Sequence, residues 1–236
     1  MDIGTTARKS VLIAAGALAL LLGSCGFLED LAGRFGGSGG SGAPGAPGAP
    51  GAAAEIVFLE GQVTVNGEAA GIGDTVMDGD LIVTGPGSVA ELTFGDYRIL
   101  RAQENSRLSL DSAAGLMTLD AGGLAVLQSK ARKLSGKDDW RLQTPTIIAS
   151  VRGTVYYANV ESPDDTYFCL CNGRIHLEDG EGFVDLAAAH HESIRARRSA
   201  EGVVYTAAPM QYHDDASIES LADKIHVPID WTTIPD

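Results

Sequence analysis

The sequence predicts an all-β domain, a compact sandwich or roll of many short strands, and three features point to it. From Glu55 onward, turn residues recur at roughly the eight-to-twelve-residue spacing expected of such folds. Between them, polar and apolar residues alternate or gather in short apolar runs. Glycine is abundant, at 30 residues, whereas aromatics form only 6% of the chain, which suits short strands and tight turns better than large packed helices.

The strands follow in order. Ile56 to Leu59 is a short apolar run. Gln62 to Val65 alternates and ends at Asn66-Gly67, a strong hairpin signal because both residues tolerate positive φ. Asp78-Gly79-Asp80 marks a second turn before Leu81 to Thr84, and Gly85-Pro86-Gly87 a third. Val89 to Phe94 alternates again. Tyr97 to Leu100, Arg107 to Leu110, Met117 to Leu119 and Leu124 to Leu127 complete the first part. A helix is expected only late, over Asp215 to Ile225. Asp214 or Asp215 would cap it, and Ile218, Leu221, Ala222 and Ile225 would form its apolar face. The stretches beginning at Gly61 and Gly173 echo each other: Val63, Val65, Ile72, Asp80 and Ile82 align without gaps with Ile175, Leu177, Val184, Glu192 and Ile194. The echo suggests two similar β-units packed together.

Ahead of this domain lies an address. Arg8 and Lys9 precede the apolar run Val11 to Leu22, the pattern of a secretory signal. The run is shorter than the about 20 apolar residues that span a bilayer. It ends in Leu22-Gly23-Ser24-Cys25, which resembles a bacterial lipobox, with the Cys25 thiol as acceptor of the diacylglycerol and palmitate-like acyl chains as the anchor. Gly26, rather than aspartate, follows the cysteine, which favours the outer membrane. A Gly/Ser stretch (Gly36 to Gly42) and three Gly-Ala-Pro repeats through Pro50 read as a tether, flexible and then stiffer. The organisation expected is thus a signal peptide over 1–24, a lipidated tether over 25–54, a β-domain over 55–206 and a C-terminal extension with a short helix over 207–236.

The 236 residues carry a formal charge of −14, and 44% of them are hydrophobic, enough for a core. Such a surface repels phosphate backbones, so nucleic acid is not an expected partner. It also repels anionic lipid head groups, so membrane attachment should be covalent or inserted rather than electrostatic.

The segment from Gly61 to Leu110 resembles the first half of a FecR domain. It has GQVTVNG, the Gly-Asp pairs Gly73-Asp74 and Gly79-Asp80, Thr84-Gly85, and the SVAELTF strand. The second half is sharper: Thr144-Pro145 followed by Ser150-Val151-Arg152-Gly153-Thr154 resembles that family's TP-to-RGT signature, and Tyr167 to Leu177 resembles the strand pair that follows, turning at Asn172-Gly173. The resemblance runs from about Glu55 to near Thr206. It implies an envelope β-domain of the kind found in regulators that sense an outer-membrane receptor. It does not bring a sigma-factor activity, because only about ten residues precede the apolar run.

The residues of the motif have their own physical reading, which is structural. Pro145 lacks an N–H and should start a strand or lie on an edge. Gly153 permits positive φ. Arg152 suits bidentate pairing with a carboxylate of a Gly-Asp turn.

Cys169 and Cys171 would share one face of a strand, with α-carbons about 6.5–7 Å apart, near the outer limit for a disulfide. Two small buried thiols are the expected reading, with a redox or metal pair as alternatives. His190 and His191, as strand neighbours, would point to opposite faces and chelate poorly; a solvated turn is the simpler reading. Arg195, Arg197 and Arg198 read as surface ion-pair partners. No G-x-S-x-G, phosphate loop or placeable carboxylate pair occurs. The expectation is therefore a non-enzymatic domain with no cofactor and no metal. It would be anchored in the cell envelope by its lipid, facing the periplasm, and would bind another envelope protein or a cell-wall glycan as a scaffold. Periplasmic sensing on behalf of a membrane partner is the alternative.

Overall fold

The computed structural model describes residues 52–129, 140–151 and 154–235. Leu22, Gly23, Ser24 and Cys25, the tether up to residue 51, and Arg152 and Gly153 lie outside the described residues; the last three residues assigned to the tether, 52–54, instead begin the first strand, where they pair with residues 76–77.

The strands of the first part are β1 (Ala52–Glu60), β2 (Val63–Val65), β3 (Glu68–Ala69), β4 (Thr75–Met77), β5 (Leu81–Thr84), β6 (Val89–Thr93), β7 (Arg98–Ala102), β8 (Arg107–Asp111) and β9 (Leu116–Gln128). Then come β10 (Trp140–Gln143), β11 (Ile148–Val151), β12 (Val155–Ser162), β13 (Asp165–Glu178), β14 (Phe183–Ala188), β15 (Glu192–Ser199), β16 (Gly202–Ala207) and the helix α1 (Asp215–Asp223). The all-β expectation holds.

The strands form two sheets. Sheet A runs β4-β1-β6-β7-β9-β12-β13-β15-β16. Sheet B runs β3-β2-β5-β8-β9-β10-β11-β13-β14, with β9 and β10 parallel and the other pairs antiparallel. Two long strands belong to both sheets. The first half of β9 pairs in sheet B and its second half in sheet A, the change falling at Ala121-Gly122. β13 changes from A to B at Asn172-Gly173.

These crossings correct two expectations. Met117 to Leu119 and Leu124 to Leu127 are one strand, not two, and Asn172-Gly173 is a bend inside β13 rather than a turn. The reason is the same in both places: glycine supplies the positive φ (74° at Gly122, 133° at Gly173) that turns a strand out of one sheet and into the other. The close approach also forbids a side chain. A Cβ on Gly122 would lie 2.5 Å from the Ser106 α-carbon, and one on Gly173 would lie 2.5 Å from Thr154 Cγ2. The echo noticed in the sequence is real in its first part: Gly61 and Gly173 both lead from a sheet A strand into a sheet B hairpin, β2–β3 and β13–β14. It ends there, because β5 joins sheet B whereas β15 joins sheet A.

Other turns are as read. Asn66 (φ 54°) and Gly67 (φ 86°) make the hairpin turn. The aspartates of the Gly-Asp pairs serve backbone: Asp74 accepts from the Gly71 N–H and Asp80 from the Met77 N–H.

The main core lies between the sheets and contains Leu100, Leu124, Val126, Phe168 and Leu170 from sheet A against Leu108, Met117, Leu119, Leu142 and Leu177 from sheet B. The alternate residues of sheet A, among them Ile99, Ala125, Leu127, Tyr157, Tyr167, Cys169 and Cys171, are buried as well, on the opposite face. Helix α1 covers them with Ile218, Leu221 and Ala222, and Ile225 follows just beyond its end. Asp214 is its N-cap, in a capping box with Ser217. Helix and sheet are also tied by charge. Glu91, 1% exposed, pairs with Arg101 at 2.8 Å and with Lys224, and Arg101 donates to the Ser217 carbonyl.

If the bend at Gly122 is forced by both φ and contact, Gly122→Ala should destabilise the domain by about 3 kcal/mol or more. Gly180→Ala, at φ 91° with open space around it, should cost only about 1–2 kcal/mol. Urea unfolding of the two variants checks this, and equal losses would refute the contact argument.

Candidate functional site

The second core ends in a polar cluster. On β13, Cys169 and Cys171 sit two residues apart and face the same side, free and buried. The turn between β14 and β15 brings His190 and His191 to them, with His191 at φ 44°. The segment leading into α1 contributes His213, Asp214 and Asp215. Cys169 Sγ lies 3.4 Å from His191 Nδ1, and Cys171 Sγ lies 3.4 Å from His213 Nε2. The far nitrogens are also held. His191 Nε2 meets Asp215 Oδ1 at 2.7 Å, and His213 Nδ1 meets the Gln211 carbonyl oxygen at 2.8 Å. His190 Nε2 reaches the other oxygen of Asp215 at 3.0 Å.

This corrects the reading of the histidines. They do occupy a turn, but because that turn is not a strand the two rings converge, and both reach Asp215. His190 is exposed, whereas the His191 side chain is only 8% exposed.

Aromatic rings wall the cluster. Tyr157 stacks on His213 at 4.7 Å and Trp231 on His191 at 5.2 Å. Trp231 Nε1 donates to Glu219. Asn172, next to Cys171, donates through Nδ2 to the carbonyls of Ala189 (2.7 Å), Asp230 (2.9 Å) and Thr233 (3.1 Å), so it fastens both the histidine turn and the chain end over the site.

The electrostatics follow from this packing. The Cys171 thiol, and with it the His191 and His213 rings, hold the Cys169 thiol well below the ordinary thiol range, against the opposing effect of burial. Burial, then the neighbouring Cys169, push the Cys171 thiol up. Burial acts to lower His191, but Cys169 and Asp215 outweigh it and the imidazole is raised. For Asp215 the two histidines outweigh burial, and the carboxyl is lowered. The packing thus lowers one thiol of the pair and raises the other, beside an imidazole that is raised.

The described residues of the family motif, Thr144, Pro145 and Thr154, make their contacts within the domain. Thr144 Oγ1 accepts from the N–H groups of Thr146 and Ile147. Pro145 lies in the β10–β11 hairpin turn, rather than at a strand start or an edge, and its carbonyl accepts from Arg198. Thr154 is buried against Gly173. Arg195 pairs with Glu161 and Asp165, Arg197 with Asp165, and Arg198 with Asp164, as surface ion pairs.

Sequence reasoning had the cysteine pair but missed His213, Asp215, Gln211 and Trp231. Their separation from β13 leaves no local spacing to read. The one available signal was compositional: few histidines, with one of them just ahead of a helix N-cap.

Residues 80–176 match the family described as FecR protein. That stretch of the chain is similar to the FecR family. The matched stretch runs from the residue before β5 into the second half of β13, so Cys169 and Cys171 belong to the FecR match while His191 and His213 lie beyond it. None of the curated proteins compared matches the sequence significantly. Two crystal structures of a "putative anti-sigma factor" from Parabacteroides distasonis ATCC 8503 are similar in structure, with TM-scores of 0.45 and 0.43 and 11% identity. In each case the similarity covers 54% of this chain and 59% of the other, so the chain spans less than two thirds of those proteins.

Asn172→Ala would remove the donor that the carbonyls of Ala189, Asp230 and Thr233 share. It is expected to cost about 1–3 kcal/mol and to speed proteolysis within residues 224–235 first. Uniform protection of that segment in the variant would refute the clamp.

Proposed function

We propose that this protein is a lipid-anchored component of the bacterial cell envelope whose FecR domain is a non-catalytic binding module serving signal sensing. The FecR match over residues 80–176 carries this reading. The Leu22-Gly23-Ser24-Cys25 sequence and the Gly/Ser/Ala/Pro tether supply the address. They favour an outer-membrane lipoprotein with its domain in the periplasm, held off the bilayer by about 30 residues of spacer. The partner is another envelope protein, engaged by the acidic domain, and the domain reports the state of that partner to a membrane component. A scaffold on the cell-wall glycan, without signalling, is the reading this displaces, because a FecR domain favours sensing.

The test is made in intact cells. Wild-type protein should fractionate with membranes and show an acylated N-terminal cysteine by mass spectrometry, and Cys25→Ala should be released from the membrane. Crosslinking should capture one envelope protein with the anchored form and lose it with Cys25→Ala, and deletion should change transcription of a defined set of genes. An unacylated wild type would overturn the anchor. Glycan capture with unchanged transcription would overturn sensing in favour of scaffolding.

A further inference from the structure

We propose that Cys169, Cys171, His191 and His213 form a four-coordinate site for a thiophilic divalent cation of the zinc class, which fastens the C-terminal segment to the FecR domain. The four ligand atoms come from three separate elements and lie within 4.8 Å of one another. With metal–sulfur and metal–nitrogen bonds of about 2.3 and 2.0–2.1 Å, a tetrahedral site has a sulfur-to-nitrogen edge of about 3.5 Å. Two of the four sulfur–nitrogen separations, Cys169 to His191 and Cys171 to His213, are 3.4 Å. The other edges of the cluster are no longer than 4.8 Å.

The surroundings are those of a metal centre as well. Ligating histidines characteristically give their second nitrogen to a carboxylate or a backbone carbonyl, which fixes the ring and its tautomer. His191 has Asp215 and His213 has the Gln211 carbonyl in those places. His190 holds the other oxygen of Asp215 and so supports the carboxylate. Cys169 and Cys171 bracket one residue of a strand, so both sulfurs face the cluster without the distortion a disulfide would need. Binding requires both cysteines as thiolates, so their protons leave to solvent and the two thiolates neutralise the dication. No redox step is involved. All four positions are filled by protein, which is the arrangement of a structural rather than a catalytic zinc site. The inference goes beyond the envelope reading, and neither depends on the other.

The test uses the untagged full chain, extracted in detergent and stripped with chelator under reducing conditions. Stoichiometric Co2+ should give the intense visible bands of tetrahedral, thiolate-ligated cobalt, and Zn2+ should bleach them. Cys171→Ser and His213→Ala should weaken Co2+ binding by at least about 100-fold, and Asp215→Asn by about 10–100-fold; His176→Ala, at a remote exposed histidine, should leave it unchanged. Should a ligand variant fail to fold, the wild type alone still decides. Zn2+ must protect both internal thiols from alkylation and shield residues 207–235 from protease. A weak octahedral cobalt spectrum, alkylation indifferent to Zn2+, or a Cys169–Cys171 disulfide in protein isolated from cells would each overturn the proposal.

Discussion

The central strands of sheet A, β7, β9, β12 and β13, are buried on both faces, and the rest of the molecule is arranged to satisfy that. Along β13, Phe168 and Leu170 enter the core between the sheets while Tyr167, Cys169 and Cys171 enter a second core on the opposite side. The same alternation holds on β9, where Val126 faces one way and Ala125 and Leu127 the other. A sheet of this kind cannot stand alone, since its outer face would be a large exposed apolar patch. The segment after β16 is therefore part of the fold. Ile218 and Leu221 of α1 are fully or almost fully buried on that face, each contributing about 1.5–3 kcal/mol relative to exposure.

Apolar contact alone does not say where a short helix should sit on a sheet. Charge supplies the register. The Glu91 side chain is 1% exposed, and a buried acid left without partners is costly. Arg101 supplies one partner from the neighbouring strand and Lys224 the other from the end of α1. Arg101 also donates to the Ser217 carbonyl in the first turn of the helix. The two ends of α1 are thus fixed to one buried acid and its partner, which places Asp214 and Asp215, at the N-terminal end, beside β13 and the histidine turn.

Much of this was legible in the sequence, and the failures share a cause. Alternation located the strands, Asn66-Gly67 located a hairpin, and the 218/221/222/225 pattern with an aspartate ahead of it located the helix. The errors lie at Gly122 and at Asn172-Gly173, where glycine was read as the end of a strand. Local sequence does not distinguish a chain that reverses from a chain that bends and continues into a second sheet. Both require positive φ, and the deciding contacts, Ser106 against Gly122 and Thr154 against Gly173, are set by remote strands. The site was half legible for the same reason. Two cysteines at i and i+2 announce one face of a strand, because strand geometry is local. The histidines are brought to them by the β14–β15 turn and by the docking of α1, which are tertiary events. Treating His190 and His191 as strand neighbours then gave the wrong divergence, since a left-handed His191 breaks the alternation.

The ionisation of the cluster is best understood as one arrangement rather than four. The Cys171 thiol lowers Cys169, while burial and then the neighbouring Cys169 raise Cys171, so the two shifts have opposite signs and a shared origin. His191 is raised by Cys169 and by Asp215, against its own burial. A dication changes the balance, since it lets both sulfurs ionise and makes neutral imidazoles the preferred form. The second nitrogens of both rings are already held by Asp215 and Gln211, so the tautomers a metal needs are set by contacts that also dock the C-terminal segment. Docking the helix and assembling the ligands are, in this geometry, the same event.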